Sequence, residues 1–487
     1  MKKLLIILAF LLLPFISSGQ AMGHLDGALW AVSYTFPEYN DLADSLFVRM
    51  DSQPNDDKKS IISDKFDKYE YFNIIQNLDA LYMPAHTQQA NALNWAQDTF
   101  DLVLVNSPTF TIDLGFTGNG SSMYINTKWD ALTDAVYFSK SASCIGFRKY
   151  EDVTDVALSM GARNSVSGYS TNITGGDIAG RLIGRIDGNQ LVTNGLSAES
   201  GLFAVAARPS DHFNYYNGVM VTTDASPSYL PYETLDFFLL NYNLNGLPGA
   251  TNYASHTMNY SFIGGFYDEK RMAATFNISE QYLYDINTLT KEDSTVIYCE
   301  GNSLTQGTAN NPGEAYPTLL SDSNSTWKVT NGGNDGYELT DMLNTVFTAN
   351  GVERQYDVTN KNEIVVVWGG TNDIYKDSSS IGTHVLMDSL CTELQMWGYK
   401  VIVMTTLPTT RLSVGGATVT DTIVNYNTLI KDNYTSYADG IVKLDEDSRL
   451  SNPLNTTYFT FDEIHLIEAG YSVVQELLQP KINSTLE

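Results

Sequence analysis

A chain of 487 residues is too long for one ordinary hydrophobic core, so its length implies two domains after any targeting segment. Its 28 Lys and Arg against 56 Asp and Glu leave a net charge of −28, which argues against a nucleic-acid partner, since phosphate binding needs clustered cations. Three cysteines, Cys144, Cys299 and Cys391, exclude a disulfide-stapled scaffold. They lack metal-site spacing and read as small buried hydrophobes. The first residues, Met1-Lys2-Lys3, precede an apolar run over 4–16 and then Ser17-Ser18-Gly19-Gln20-Ala21, the three-part pattern of a cleavable export signal at 1–21. That run is shorter than a bilayer requires, and no later segment is long and apolar enough to span. The expectation is a secreted or periplasmic protein with no transmembrane segment. No cysteine closes the signal, so a lipid anchor is not expected.

From 22 to 287 the chain is rich in Tyr, Phe, Asn, Ser, Thr and Gly, with short β-prone runs between turn residues, which predicts an all-β sandwich. The segment over 40–71 fits this pattern poorly, and its run Asp56-Asp57-Lys58-Lys59 reads as a solvated loop. Candidate strands lie at 102–105, 110–114, 135–139, 202–206 and 260–265. The clearest signal is Asn217-Gly218 between His212-Phe213-Asn214-Tyr215-Tyr216 and Val219-Met220-Val221-Thr222-Thr223. Asn-Gly supplies the positive φ angles of a two-residue hairpin turn. The closing run Phe262-Ile263-Gly264-Gly265-Phe266, followed by a short helix at 279–284, resembles the end of a concanavalin A-like, laminin-G-type jelly roll. That resemblance implies a lectin-like domain. A glycan-binding role and a purely supporting one stay open.

After residue 287 apolar β-branched runs alternate with segments of helical period, which is how a parallel α/β sheet reads. Strands are predicted at 295–299, 327–330, 364–368, 401–405 and 441–444, and helices at 339–349, 383–397, 421–437 and 467–478. In the second helix Leu386, Leu390, Leu394 and Trp397 share a face, and Gly398 follows as a C-cap. Five parallel strands with interleaved helices over 294–487 predict a flavodoxin-like α/β/α sandwich, with its ligand site beyond the C-terminal strand ends.

Four stretches fall at that edge. Glu300-Gly301-Asn302-Ser303-Leu304-Thr305 follows the first strand, Asn331-Gly332-Gly333-Asn334-Asp335-Gly336 the second and Gly369-Gly370-Thr371-Asn372-Asp373 the third; Asp462-Glu463-Ile464-His465 precedes the last helix. A serine hydroxyl is a weak nucleophile at neutral pH and needs a base that titrates nearby, the natural task of histidine. Of six histidines, His465 has a carboxylate three residues before it and stands in the final loop, whereas His384 falls in a predicted helix. In this order and spacing the four stretches resemble the blocks of the SGNH, or GDSL, hydrolases. The resemblance implies Ser303 as nucleophile, His465 as base and Asp462 as its orienting acid. It further implies an oxyanion hole from the N–H groups of Ser303 and Gly336 and the side-chain amide of Asn372. Gly332 or Gly333 replaces Gly336 if the loop aligns differently. No cofactor or metal is required.

One departure is Asn302, where the family usually carries Asp. The lack of a G-x-S-x-G elbow separates the pattern from the α/β-hydrolases. What the resemblance implies is a carboxylic-ester hydrolase, with an acetylated carbohydrate as the expected substrate. The alternatives are a lipase-like or thioesterase-like acyl hydrolase, and a glycan-binding adhesin that no longer turns over. Specificity would lie in the loops at 307–315 and 407–420.

Overall fold

A computed structural model of the protein describes residues 39–486 apart from 140–141, 152–158, 165–169, 176–180, 187–188, 197–199, 226–233, 251, 287, 308–314, 377 and 411–418. The expected export signal lies outside the described residues. Among the described residues no helix is long and apolar enough to cross a membrane. The chain from Tyr39 to Glu487 forms one compact unit.

That unit begins with two helices, α1 (Asp41–Arg49) and α2 (Asp56–Tyr71), so the charged run at 56–59 is a helix start and not a loop. The cause is local. The Asn55 side chain accepts from the Lys58 N–H at 3.0 Å, Asp56 and Asp57 favour the positive end of the helix, and Ile62, Phe66 and Tyr69 are buried. The strands that follow form two sheets, with eight and nine strands among the described residues. Pairing is antiparallel except where Asn243–Leu244 runs parallel to Met160–Arg163. Asp211–Tyr216 and Val219–Asp224 form the expected hairpin, with Asn217 at φ 48° and Gly218 at φ 76°.

The inner faces share one cluster that includes Ile145, Phe147, Phe203 and Val205 from one sheet and Ile173, Leu182 and Phe237 from the other. Trp129 meets Phe237 edge-on at 5.0 Å. Burying each such side chain contributes about 1.5–3 kcal/mol. The expected strand at 135–139 is instead a loop, because the N–H groups of Val136, Tyr137 and Phe138 donate to the buried Asp79 carboxylate and are lost to any ladder. The run at 110–114 likewise stops at Thr111, and Asp113 turns the chain at φ 58°.

The expected short helix at 279–284 is the end of the 17-residue α3 (Glu269–Asp285), capped by Asp268. Helices α1 to α3 cover the other face of the eight-stranded sheet, where Leu202, Ala204 and Phe262 join their core, so that sheet is buried on both sides. Arg148 donates to both carboxylate oxygens of Glu280 at 2.7 and 3.0 Å and ties the sheet to α3.

The parallel sheet consists of β1 (Glu292–Gly301), β2 (Trp327–Gly333), β3 (Asn360–Trp368), β4 (Lys400–Met404) and β5 (Gly440–Val442) in the order β2-β1-β3-β4-β5. This is the flavodoxin-like order. After β1 come α4 (Ser303–Gln306) and α5 (Tyr316–Ser323), and after β2 comes α6 (Leu339–Thr345). After β3 come α7 (Thr371–Tyr375) and α8 (Ser380–Trp397), then α9 (Thr420–Asn433) and α10 (Glu468–Leu486). Ile364 and Val366 face a core with α5 and α10, whereas Val365 and Val367 face the core shared with α6, α8 and α9. Both faces are therefore covered. Phe72, just past α2, packs edge-on against Trp397 at 5.3 Å, so the core of the β-rich half continues into this one.

In α8 the buried positions are Thr383, Met387, Leu390, Cys391, Leu394 and Trp397; Leu386 is half-buried at the margin of the stripe. Gly398 follows at φ 123°. Helix α6 ends four residues earlier than expected, and the helix at 421–437 passes into a 3₁₀ turn at Tyr434–Ser436. The three cysteines are buried and free.

Candidate active site

Gly301, Gly333 and Trp368 stand level in the sheet, so the segments after β1, β2 and β3 emerge at one height. Because β1 lies between β2 and β3, its C-terminus opens on the crevice where open α/β sheets place their ligands. Gly301 leaves no room for a side chain: a Cβ would stand 2.2 Å from Thr305 Oγ1 and 2.7 Å from the Trp368 carbonyl. Asn302, 1% exposed, accepts the Leu304 N–H on Oδ1 at 3.0 Å and caps α4. A neutral amide does this as well as a carboxylate and buries no charge. Ser303 is the first helical residue, and its N–H has no intrahelical acceptor.

The loop before α10 is closed by the Thr460 N–H on the His465 carbonyl at 2.8 Å. Inside it Glu463 takes φ 60°, and Asp462 Oδ1 accepts the N–H groups of Ile464 and His465, each at 2.9 Å. Thr460 Oγ1 donates to the same oxygen at 2.6 Å. Asp462 Oδ2 is thereby turned to His465 Nδ1 at 2.6 Å, and His465 Nε2 stands 2.9 Å from Ser303 Oγ. Partial burial works against the Asp462 charge, but the bonds from His465, Thr460 and Ile464 outweigh it and hold the carboxyl well below the usual range. This loop presents a carboxylate and an oriented imidazole to the Ser303 hydroxyl in one hydrogen-bonded chain.

The loop after β2 leans on the same turn. The Asn334 N–H donates to the Gly301 carbonyl at 2.9 Å, and Gly333 lies against Gln306 so closely that a Cβ would be 2.2 Å from its nitrogen. Gly336 is exposed, at φ 77° with open space where its Cβ would be. Asn372 Nδ2 donates to the Tyr337 carbonyl at 2.8 Å, which fixes the amide beside the residue after Gly336. All five residues singled out in the sequence thus lie on segments that meet at this sheet edge. If the Asn372 amide stabilises a developing oxyanion, Asn372→Ala will lower kcat on p-nitrophenyl acetate about 10²–10³-fold with little change in KM.

Three neighbours had no role in the sequence reading. Thr460 holds the acid, and the only hint of it was a hydroxyl two residues before Asp462. Asp373 is buried and accepts the Leu339 N–H at the start of α6 with both oxygens 3.2 Å away, which anchors the loop that Asn372 touches. Burial pushes its carboxyl up to about 6 despite that bond. A raised carboxyl contributes stability below its ordinary pKa and loses it as pH rises through about 6. Urea titrations should therefore show Asp373→Asn gaining on the parent protein as pH rises from 4 to 7. Glu300, 5% exposed at the end of β1 before the Ser303 turn, is pushed up to about 8 by burial against the pull of the Gly301 amide.

Residues 299–473 match the GDSL-like lipase/acylhydrolase family. This GDSL-like segment contains Ser303, Gly336, Asn372, Asp462 and His465. No curated protein matches the chain. Among solved structures, the GDSL-family lipolytic protein from Veillonella parvula is 18% identical, with 38% of this chain and 97% of that one covered and a TM-score of 0.32. A GDSL-like lipase from Bacteroides thetaiotaomicron is 18% identical over 41% of this chain and 95% of that one, with a TM-score of 0.31. The psychrotrophic esterase EstA from a Pseudoalteromonas species is 13% identical over 40% of this chain and 99% of that one, with a TM-score of 0.32. Most of the two loops expected to set specificity, at 307–315 and 407–420, lies outside the described residues of the GDSL-like segment.

Proposed function

We propose that the protein is an exported serine esterase that removes acyl groups, above all acetyl, from a carbohydrate. The observation that carries the reading is the chain Asp462 to His465 to Ser303, with links of 2.6 and 2.9 Å, inside a GDSL-like segment. His465 Nε2 takes the Ser303 proton as Oγ attacks the ester carbonyl carbon. The tetrahedral oxyanion is met by the N–H groups of Ser303 and Gly336 and by the Asn372 amide. Collapse expels the alcohol, which takes the proton from His465 and leaves Ser303 acylated. A water then gives a proton to His465 and attacks the acyl carbon, and the acid leaves as Ser303 recovers its proton.

The carbohydrate part of the proposal is supported by the neighbouring β-sandwich, read here as a concanavalin A-like domain over 22–287 that presents glycan to the hydrolase domain over 294–487. Export is supported by the signal-like pattern at 1–21. The protein should release acetate from an acetylated polysaccharide and prefer p-nitrophenyl acetate to long-chain p-nitrophenyl esters. A preference for long acyl chains would instead assign it to lipid or thioester hydrolysis. Glycan binding with no turnover would make it an adhesin.

A further inference from the structure

At the opposite end of the parallel sheet a second cavity, about 230 Å³ in volume, lies between α2, α3 and the starts of β3 and β4. The ten-residue β1 separates it from Ser303, a span of roughly 30 Å. Its lining is unlike the rest of this acidic chain: Lys68, Lys291, Lys361 and Lys400 face it with only two carboxylates, Asp285 and Glu363. Lys68 and Lys361 are paired outside the lining, with Asp64 at 2.8 Å and Asp293 at 3.3 Å. Lys291 and Lys400 are bonded to neutral groups, the Gln281 side-chain oxygen at 2.8 Å and the Thr485 carbonyl at 2.6 Å. Among the described residues neither ammonium has a carboxylate within 4.0 Å.

The second observation is Glu363, whose side chain is 5% exposed and lines the cavity. Its Oε1 accepts the Asp357 N–H at 3.2 Å and the Asn360 amide at 2.5 Å, while the buried Oε2 has no hydrogen-bond partner. A buried carboxylate oxygen without a donor costs free energy that a bound O–H recovers. The donor should be neutral, because Lys291 and Lys400, neither in an ion pair among the described residues, already line the cavity and disfavour another cation. Asp285 and Glu363 act on Lys291 only at longer range, and neither Lys291 nor Lys400 forms an ion pair, which favours a negative group on the same molecule.

We propose that this cavity is a binding site for a small polyhydroxylated carboxylate of the sugar-acid class. The carboxylate lies between Lys291 and Lys400, and a hydroxyl donates to Glu363 Oε2. Neither contact involves the serine centre, so the site stands whether or not the esterase assignment does.

The test is calorimetric titration of the full chain with sodium D-glucuronate, with D-glucose, sodium acetate and inorganic phosphate run alongside. Saturable glucuronate binding is expected, at least tenfold tighter than glucose or acetate, and weakened at least tenfold in both Lys291→Gln and Lys400→Gln. Near-UV circular dichroism of both variants should match the parent and show that the fold is kept. No binding of glucuronate, equal binding of glucose or acetate, tighter binding of phosphate, or undiminished affinity in folded Lys variants would each overturn the proposal.

Discussion

Ser303→Ala should lower kcat on p-nitrophenyl acetate by about 10⁶-fold, to a residue set by whatever binding and oxyanion donation remain. The size follows from what is removed. Among the described residues Ser303 Oγ is the hydrogen-bond partner of His465 Nε2, at 2.9 Å, so without it the imidazole has no nucleophile to deprotonate. Little else should change. The Asn302 side chain still caps α4, and the Gly307 N–H still reaches the residue-303 carbonyl at 3.0 Å. Thermal midpoints of parent and variant should agree closely, and a serine-reactive phosphonate should add one adduct to the parent at Ser303 and none to the variant. Retained turnover in a correctly folded Ser303→Ala protein would remove the serine mechanism altogether.

What could be read in the residues and what could not divide along one physical line. The five parallel strands were legible because both faces of the sheet are covered, which forces unbroken apolar runs such as Ile364 to Trp368. The hairpin at Asn217-Gly218 was legible because its turn depends on two adjacent residues alone. Failure came where a distant group takes the backbone. The run at 135–139 has strand composition, yet its N–H groups go to Asp79, some 57 residues earlier in the chain. The charged run at 56–59 misled for the opposite reason, since acidic residues next to an Asn cap mark a helix start as readily as a loop. At the site, Ser303, Asp462 and His465, which the fold brings into one hydrogen-bonded chain, could be singled out because the proposed chemistry restricts residue types. Thr460 and Asp373 act through single hydrogen bonds that many polar residues can make, so nothing in their identity announced them.

The same hydrogen bonds make Asp462→Asn a sharper experiment than it looks. Oδ1 of Asp462 accepts from Thr460 Oγ1, the Ile464 N–H and the His465 N–H, three donors that only an oxygen can satisfy. An asparagine there must keep its carbonyl oxygen in that position, which leaves its NH₂ facing His465 Nδ1 where Oδ2 now stands at 2.6 Å. A donor at that place selects the tautomer with a lone pair on Nδ1 and the proton on Nε2. Nε2 then can no longer accept the Ser303 proton, although loop, ring and hydroxyl are all in place. The expected result is a fall in kcat of about 10⁴-fold with the fold retained. Asp462→Ala should behave differently, because it also leaves the Ile464 and His465 N–H groups without their acceptor and loosens the loop. Stability in acid separates the two roles further. The depressed Asp462 carboxyl contributes stability above the ordinary carboxylate pKa and loses it as pH falls, so the parent's advantage over Asp462→Asn in urea should shrink as the solution is acidified. A loss below tenfold in the folded Asn variant would mean that His465 is oriented by something other than Asp462.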